Sequence, residues 1–222
     1  MLRDAALVAG KDLRVEARSR VALNQVAPFA ILVLVLFAFA LDPDRGILAR
    51  ASAGLFWVAV AFTALLAVQR SFAIELADGA RDGLRLSGLD PAGIFLGKAG
   101  AVAAELAGLE VLLAAGVVVL YGTDLHGIGV LVLTCVLATV ALAAAGTLYG
   151  VLAAGARMRE TLLPLLLVPV MAPVVLSATK ASESALTSAG TDAWPWLRLL
   201  GAFAAVYLAV GTVAFGPLLE DA

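Results

Sequence analysis

The chain has 222 residues, of which 63% are hydrophobic and only 14% are charged, and its mean hydropathy is +1.03. A soluble domain is about 25% charged and roughly half apolar, so a soluble fold of this length could not bury so much apolar surface, and the excess is expected to face lipid. The net charge of −2 argues against a basic nucleic-acid-binding face, and the lone cysteine, Cys135, argues against disulfides.

Residues 1–20 are predicted to form an amphipathic helix at the cytoplasmic membrane interface. Apolar residues recur at helical spacing from Leu2 to Ala17, and charged residues occupy much of the remainder. A plain solvated lead-in helix is the alternative that this pattern leaves open.

Six apolar segments follow, and each is expected to be a transmembrane helix. A bilayer core of about 30 Å requires about 20 helical residues, and backbone polar groups in lipid must be satisfied within the helix. The sequence therefore predicts an all-α membrane protein, one domain over residues 1–222 with an interfacial helix and six spans. The predicted spans are 21–41, 47–69, 99–121, 127–154, 161–178 and 195–218.

The distribution of Lys and Arg predicts the orientation. With a cytoplasmic N-terminus, 11 of the 15 basic residues lie inside and 4 lie outside, which favours both termini in the cytoplasm. Segment 70–98 is then the largest cytoplasmic connector, and it holds eight of the chain's 15 basic and 17 acidic residues. A short helix that docks a soluble partner and a solvated loop that only maintains topology both fit this pattern.

The motifs of energy conversion and catalysis are missing from the sequence. There is no G-x-x-x-x-G-K-[ST] phosphate loop, so an ATP-driven role requires a separate ATPase polypeptide. No His, Cys or Asp cluster has metal-ligand spacing, and no nucleophile–base pair is apparent. The sequence therefore favours a transport subunit over an enzyme, with no metal site and no catalytic residue.

Two acids, Glu105 and Glu110, lie about 10 and 18 Å into the third span, measured from Lys98 at about 1.5 Å per residue. Acids at such depth usually face the bundle interior or a wet cavity. The five-residue gap separates them by about 140° around the helix, so they do not share one narrow site. Proximity to the interface and to Lys98 explains Glu105. Glu110 is either a pathway or proton-carrying acid or a buried, hydrogen-bonded structural one.

Proline and glycine mark the fifth and fourth spans. Pro164, Pro169 and Pro173 each remove a backbone donor and free a carbonyl, so the fifth span is expected to bend. The freed carbonyls could line a path, which makes Pro169 and Pro173 candidate pathway residues beside Glu110; a static kink is the alternative. Gly146 and Gly150 form a small-xxx-small pattern that permits close helix packing.

The order of elements and several local sequences resemble the CcmB family, the heme exporter protein B of bacterial cytochrome c maturation, which is similar to ABC-2-type exporters. The resemblance extends along nearly the whole chain. The matching stretches are LARASAGLFWVA from Leu48, ALLAVQRSF from Ala64, Glu75-x-x-Asp78-Gly79, Leu84 with Leu86-Ser87, Gly97-Lys98, and Leu163 to Val175.

This resemblance implies a permease subunit of the bacterial inner membrane. Two copies would bind two copies of a CcmA-like ATPase, which would hydrolyse ATP, and CcmC- and CcmD-like membrane proteins and a CcmE-like carrier would complete the system. Heme would be the cargo of the complex rather than a cofactor of this chain. Segment 70–98 would hold the coupling helix that docks on the ATPase. Its coupling residues would be Glu75, Asp78, Gly79, Arg81, Asp82, Leu84, Arg85 and Leu86.

The family leaves open whether this subunit carries heme or only transmits ATP-driven motion. The only histidine, His126, is expected at the outer end of the fourth span, where an ordinary polar residue and a heme ligand are the alternatives. Three other functions fit the spans: an ABC-2 permease for a lipid, drug or glycan, an ion-coupled secondary carrier using Glu110, and a scaffold.

Overall fold

A computed structural model of the chain describes residues 1–20, 22–41, 45–77, 88–154, 159–186 and 192–221. These residues form seven α-helices and a π-helical turn, Ala22–Val26, and none of them lies in a strand. The helices are α1 (Leu2–Ser19), α2 (Ala27–Leu41), α3 (Arg45–Ala77), α4 (Pro91–Tyr121), α5 (Ile128–Ala154), α6 (Arg159–Leu186) and α7 (Trp194–Asp221).

Among the described residues, six helices are long and apolar enough to cross a membrane, and they are α2 with its preceding turn and α3 to α7. The predicted all-α membrane fold, with six spans after an N-terminal helix, is confirmed at this level. The ABC-2 architecture and the cytoplasmic termini stay predictions. The candidate spans are Asn24–Leu41, Gly46–Ala73, Pro91–Tyr121, Ile128–Ala153, Thr161–Leu186 and Trp194–Leu219.

Three helices are longer than the apolar runs that predicted them. α3 continues to Ala77, α6 continues to Leu186, and α4 begins at Pro91 rather than at residue 99. The start of α4 has a local cause, because the Asp90 carboxylate caps the helix by accepting a hydrogen bond of 3.1 Å from the Ala92 amide, and proline suits the first helical position.

Helix α5 is the centre of the bundle, since it packs against α3, α4, α6 and α7. Its run Ala141–Ala145 is almost fully buried, and such small side chains let neighbouring helices approach closely. Gly146 and Gly150 lie against Val68 and Phe72 of α3, and a Cβ at either position would overlap these side chains. The close packing predicted from the small-xxx-small pattern is confirmed.

Candidate functional site

Helix α1 packs directly on the first turns of α4, where α4 presents two glycines. A Cβ at Gly93 would lie 2.8 Å from the Met1 carbonyl oxygen, and a Cβ at Gly97 would lie 2.6 Å from the Ala5 carbonyl oxygen and 2.7 Å from Val8 Cβ. Side chains essentially never approach so closely, so glycine is required for this contact. The contact joins the N-terminal helix to the start of the third span.

The three acidic side chains of α1 all turn toward the bundle. Asp4 Oδ2 lies 3.4 Å from the backbone nitrogen of Asp90, at the start of α4, and 3.2 Å from the Met1 ammonium. The hydrogen bond from that ammonium holds the pKa of the Asp4 carboxyl below its usual range. Asp12 lies 3.5 Å from Lys98 Nζ, and Glu16 lies 3.0 Å from Arg70 Nε. Each acid therefore meets a partner at one end of the connector.

Arg70 fixes the α3 side of this arrangement. Its guanidinium donates to Glu16 Oε2 and to the Ser19 hydroxyl, at 3.0 and 2.8 Å, while the other Glu16 oxygen accepts from the Ala22 amide at 2.7 Å. The Arg70 and Glu16 side chains are 19% and 18% exposed, so solvent weakens the pair only in part. The C-terminal turn of α1 is thereby tied to the second span.

Lys98 fixes the α4 side. The residue is only 1% exposed, and its ammonium lies beside Asp12 and 4.8 Å from the centre of the Phe72 ring. A buried ammonium is costly unless it meets a carboxylate or an aromatic face, and Lys98 meets both. Since Phe72 belongs to α3, this one cation joins α1, α3 and α4.

We call the set Asp4, Asp12, Glu16, Arg70, Asp90 and Lys98 the connector-end network. Its members sit on α1 and on both helix ends that flank the connector. The predicted coupling residues from Asp78 to Leu86 lie outside the described residues. Glu75 lies in the last turns of α3. The structure thus describes the two anchors of the predicted coupling segment rather than the segment itself.

The two acids within α4, buried Glu110 and half-buried Glu105, have different surroundings. Glu110 is 6% exposed, and its Oε1 accepts a 2.6 Å hydrogen bond from the Thr139 hydroxyl of α5. Glu105 lies within electrostatic range of Glu16 and Arg70, on the side of α4 that faces the connector-end network. Lys98, expected near Glu105, instead reaches Asp12. The hydrogen bond to Thr139 fits the structural alternative for Glu110.

The prolines of the fifth span lie inside a continuous helix. Pro164, Pro169 and Pro173 are all internal to α6, and the Pro173 carbonyl accepts a 2.7 Å hydrogen bond from the Ser177 hydroxyl. This is the usual bond of a helical serine to the carbonyl four residues earlier, and it does not involve a carbonyl freed by proline, because the missing amide of Pro173 frees the carbonyl of Pro169. Pro169 and Pro173 stay candidate pathway residues.

A pocket of about 290 Å³ opens at the opposite end of the bundle, between α3, the loop after α4 and the end of α6. Arg50, Asp124, His126 and Glu183 line its polar part. His126 is exposed, and its Nδ1 lies 3.3 Å from the Asp124 carbonyl oxygen. Among the described residues, no group of three His, Cys, Asp or Glu side chains could hold a metal ion.

Sequence reasoning missed the connector-end network. A signal was present, because Asp4, Asp12 and Glu16 fall on one side of a helix while Arg3, Arg14 and Arg18 fall on another. The predicted amphipathic pattern places all charged residues of the first helix on one polar face. An acidic helix side that is distinct from the basic side predicts that a basic surface packs against it.

Comparison with known proteins identifies the family. The CcmB protein family matches residues 4–221. Heme exporter protein B of Paracoccus denitrificans is 30% identical over 215 residues, covering 95% of each chain, and that of Haemophilus influenzae is 31% identical over 178 residues, covering 79% of each. The counterpart in Pseudomonas aeruginosa is 30% identical over 195 residues, covering 85% of this chain and 86% of its own. The chain belongs to the CcmB family.

Proposed function

We propose that this chain is the membrane permease subunit of an ABC-type heme export system in cytochrome c maturation, located in the bacterial inner membrane. The match to the CcmB family over residues 4–221 is the observation that carries the proposal, and the similar proteins share the name heme exporter protein B. ATP is hydrolysed by a separate CcmA-like subunit, so this chain is a transport subunit rather than an enzyme.

The connector-end network supports an entry point for ATP-driven motion at the connector. Displacement of the connector by an ATPase would pull on the ends of α3 and α4. Because Glu16 holds Arg70 and Asp12 holds Lys98, α1 would move with both ends. Packed elements joined by buried contacts shift as units rather than deforming continuously. The geometry therefore favours transmission of force through a three-helix unit.

A role in transmitting ATP-driven motion also agrees with the scarcity of heme ligands among the described residues of this chain. Within the described residues His126 is the sole imidazole, and it is exposed at the far end of the bundle from the network. In the proposed system heme is cargo held by CcmC- and CcmD-like membrane proteins and passed to a CcmE-like carrier, with two copies of this chain bound to two ATPase subunits.

Charge reversal or backbone restriction in the connector tests the proposal. Asp78→Arg and Gly79→Pro are expected to leave membrane insertion and thermal unfolding of the spans unchanged, and to abolish both co-purification of the ATPase and cytochrome c maturation. Asp124→Arg, a matched reversal in the exposed loop at the opposite end, is expected to retain the ATPase. Normal ATPase binding and normal maturation in both connector variants would contradict the docking assignment.

One further variant distinguishes an ion-coupled secondary carrier from the proposed ABC permease. Glu110→Gln removes the ionisable group but keeps an acceptor for the Thr139 hydroxyl. The permease proposal expects cytochrome c maturation to persist in this variant and to depend on ATP. Maturation that continued without ATP hydrolysis and stopped in Glu110→Gln would support a secondary carrier instead.

A further inference from the structure

Helix α1 has three distinct sides in the structure, and the sequence suggested only two. The acidic side, with Asp4, Asp12 and Glu16, is turned into the connector-end network. The other two sides remain exposed. Their composition differs from the buried side in a way that points to a ligand.

One exposed side carries three arginines, with Leu7, which is 57% exposed, among them. Arg3, Arg14 and Arg18 are all exposed, and within the described residues none of them forms an ion pair. At 100° per residue they fall within about 60° of one another around the helix. No acid of α1 shares this side, because all three acids face inward. Within the described residues, the carboxylates of α1 therefore face the bundle, and the arginine side carries positive charge with no carboxylate at ion-pair distance.

The neighbouring exposed side is apolar. Leu2 is 78% exposed and Leu13 is 39% exposed, and Ala6 and Ala17 lie next to them in angle, so that all four fall within about 60° around the helix. Helices that lie in the plane of a membrane interface combine an apolar side, which enters the acyl boundary, with a Lys- or Arg-rich side at headgroup level. The two exposed sides of α1 have this arrangement.

The position of α1 in the fold places it at that level. α1 packs on Gly93 and Gly97, within the first two turns of the span Pro91–Tyr121. This end of a transmembrane helix coincides with the headgroup layer, so the arginine side chains reach phosphates without any rearrangement of the bundle.

We propose that the exposed face of α1 binds anionic phospholipid headgroups, with Arg3, Arg14 and Arg18 as the phosphate-contacting residues and Leu2 and Leu13 inserted at the acyl boundary. Charge complementarity carries this proposal, and it is independent of the cargo. Since the same helix holds Arg70 and Lys98 through its inner side, bound lipid would anchor the connector-end network to the membrane surface.

Native mass spectrometry of the full chain tests this proposal. The chain is released from a mixture of phosphatidylglycerol and phosphatidylcholine, and the ratio of the two retained lipids is measured. The wild type is expected to retain phosphatidylglycerol preferentially. Combined Arg3→Gln, Arg14→Gln and Arg18→Gln should reduce that preference at least about tenfold, since each arginine near an anionic surface contributes about fivefold.

Two controls make the result decisive. Combined Arg50→Gln, Lys180→Gln and Arg198→Gln removes the same charge from exposed residues elsewhere and should keep the wild-type ratio. Combined Arg3→Lys, Arg14→Lys and Arg18→Lys should retain most of the wild-type preference. The proposal would be overturned by an unchanged lipid ratio in the combined Arg3→Gln, Arg14→Gln and Arg18→Gln variant. An equal loss of preference in the control variant would overturn it too. Loss of ATPase co-purification with an unchanged lipid ratio would assign the arginines to a protein partner instead.

Discussion

The two ends of the helical bundle are held together in different ways. At the connector end, α1, α3 and α4 are joined by a buried lysine, a largely buried Arg70–Glu16 pair and two glycine contacts. At the opposite end, the exposed pair Lys180–Glu183 lies within one helix, the buried Trp57 indole donates to Ser182 between α3 and α6, and pockets of about 80 and 290 Å³ lie between α3 and its neighbours.

This difference indicates that the connector end of the bundle is more rigid than the opposite end. The connector end is cross-linked between helices distant in sequence, so a force applied there is shared by three helices. The opposite end has room for side chains and the loop 122–127 to rearrange. A subunit that receives motion at one end and responds at the other requires this asymmetry.

The largest expected effect comes from disrupting the packing contact between α1 and α4. Gly97→Leu would place side-chain atoms where the Ala5 carbonyl and Val8 lie, so α1 must separate from α4. We expect a loss of stability of about 2–3 kcal/mol and rapid proteolysis of residues 2–19. Gly100→Leu is the matched control, because a Cβ there meets no atom within 4 Å and its variant should remain protected. Equal proteolysis of both variants would contradict the proposed packing of α1 on α4.

A smaller effect is expected from the Arg70–Glu16 pair. Glu16→Gln removes a charge that accepts from Arg70 and from the Ala22 amide, and we expect a loss of about 1–2 kcal/mol in thermal unfolding in detergent. A double-mutant cycle with Arg70→Gln should show coupling between the two residues.

The exposed pair at the other end sharpens this comparison. Glu183→Gln, which removes the carboxylate facing Lys180, should cost under about 0.5 kcal/mol. If this surface pair proved as costly as the Arg70–Glu16 pair, the two ends would not differ in the way described.

An effect between these two in size is expected from the hydrogen bond between Trp57 and Ser182. The indole nitrogen of the fully buried Trp57 donates to the Ser182 hydroxyl at 2.9 Å and joins α3 to α6 near the pockets. Ser182→Ala leaves that donor without this acceptor, so we expect a loss of about 1 kcal/mol, measured by thermal unfolding. Ser184→Ala, on the exposed side of α6, should change stability by less than half as much.

The sequence predicted the six spans correctly because apolar length alone determines them. The predicted third span begins at residue 99 because Lys98 ends the apolar run in the sequence, whereas helix α4 begins at Pro91. In the structure Lys98 is buried beside Asp12 and Phe72, so the helix extends through it to Pro91. A charge whose partner lies 86 residues away cannot be recognised as compatible with burial from local sequence.

The end of α6 and the packing of α1 are two further features that the apolar pattern of the sequence does not predict. α6 extends past residue 178, and Lys180 and Glu183, three residues apart, pair at 2.7 Å on the surface of this extension. In the sequence, Gly97 stands out only in the family resemblance at Gly97-Lys98, and nothing marks Gly93. Their role becomes visible once α1 is placed on them, because a glycine contact between distant helices leaves no local signal.

Sidedness of the connector is the most direct test of the account, because an ATPase can act there only from the cytoplasm. Arg81→Cys in a Cys135→Ser background is to be labelled with a membrane-impermeant thiol reagent, and Asp124→Cys serves as the opposite-end control. We expect position 81 to react in inside-out vesicles and to stay unlabelled in intact cells, with the reverse for position 124. Labelling of position 81 from outside intact cells would contradict the orientation and the proposed coupling together.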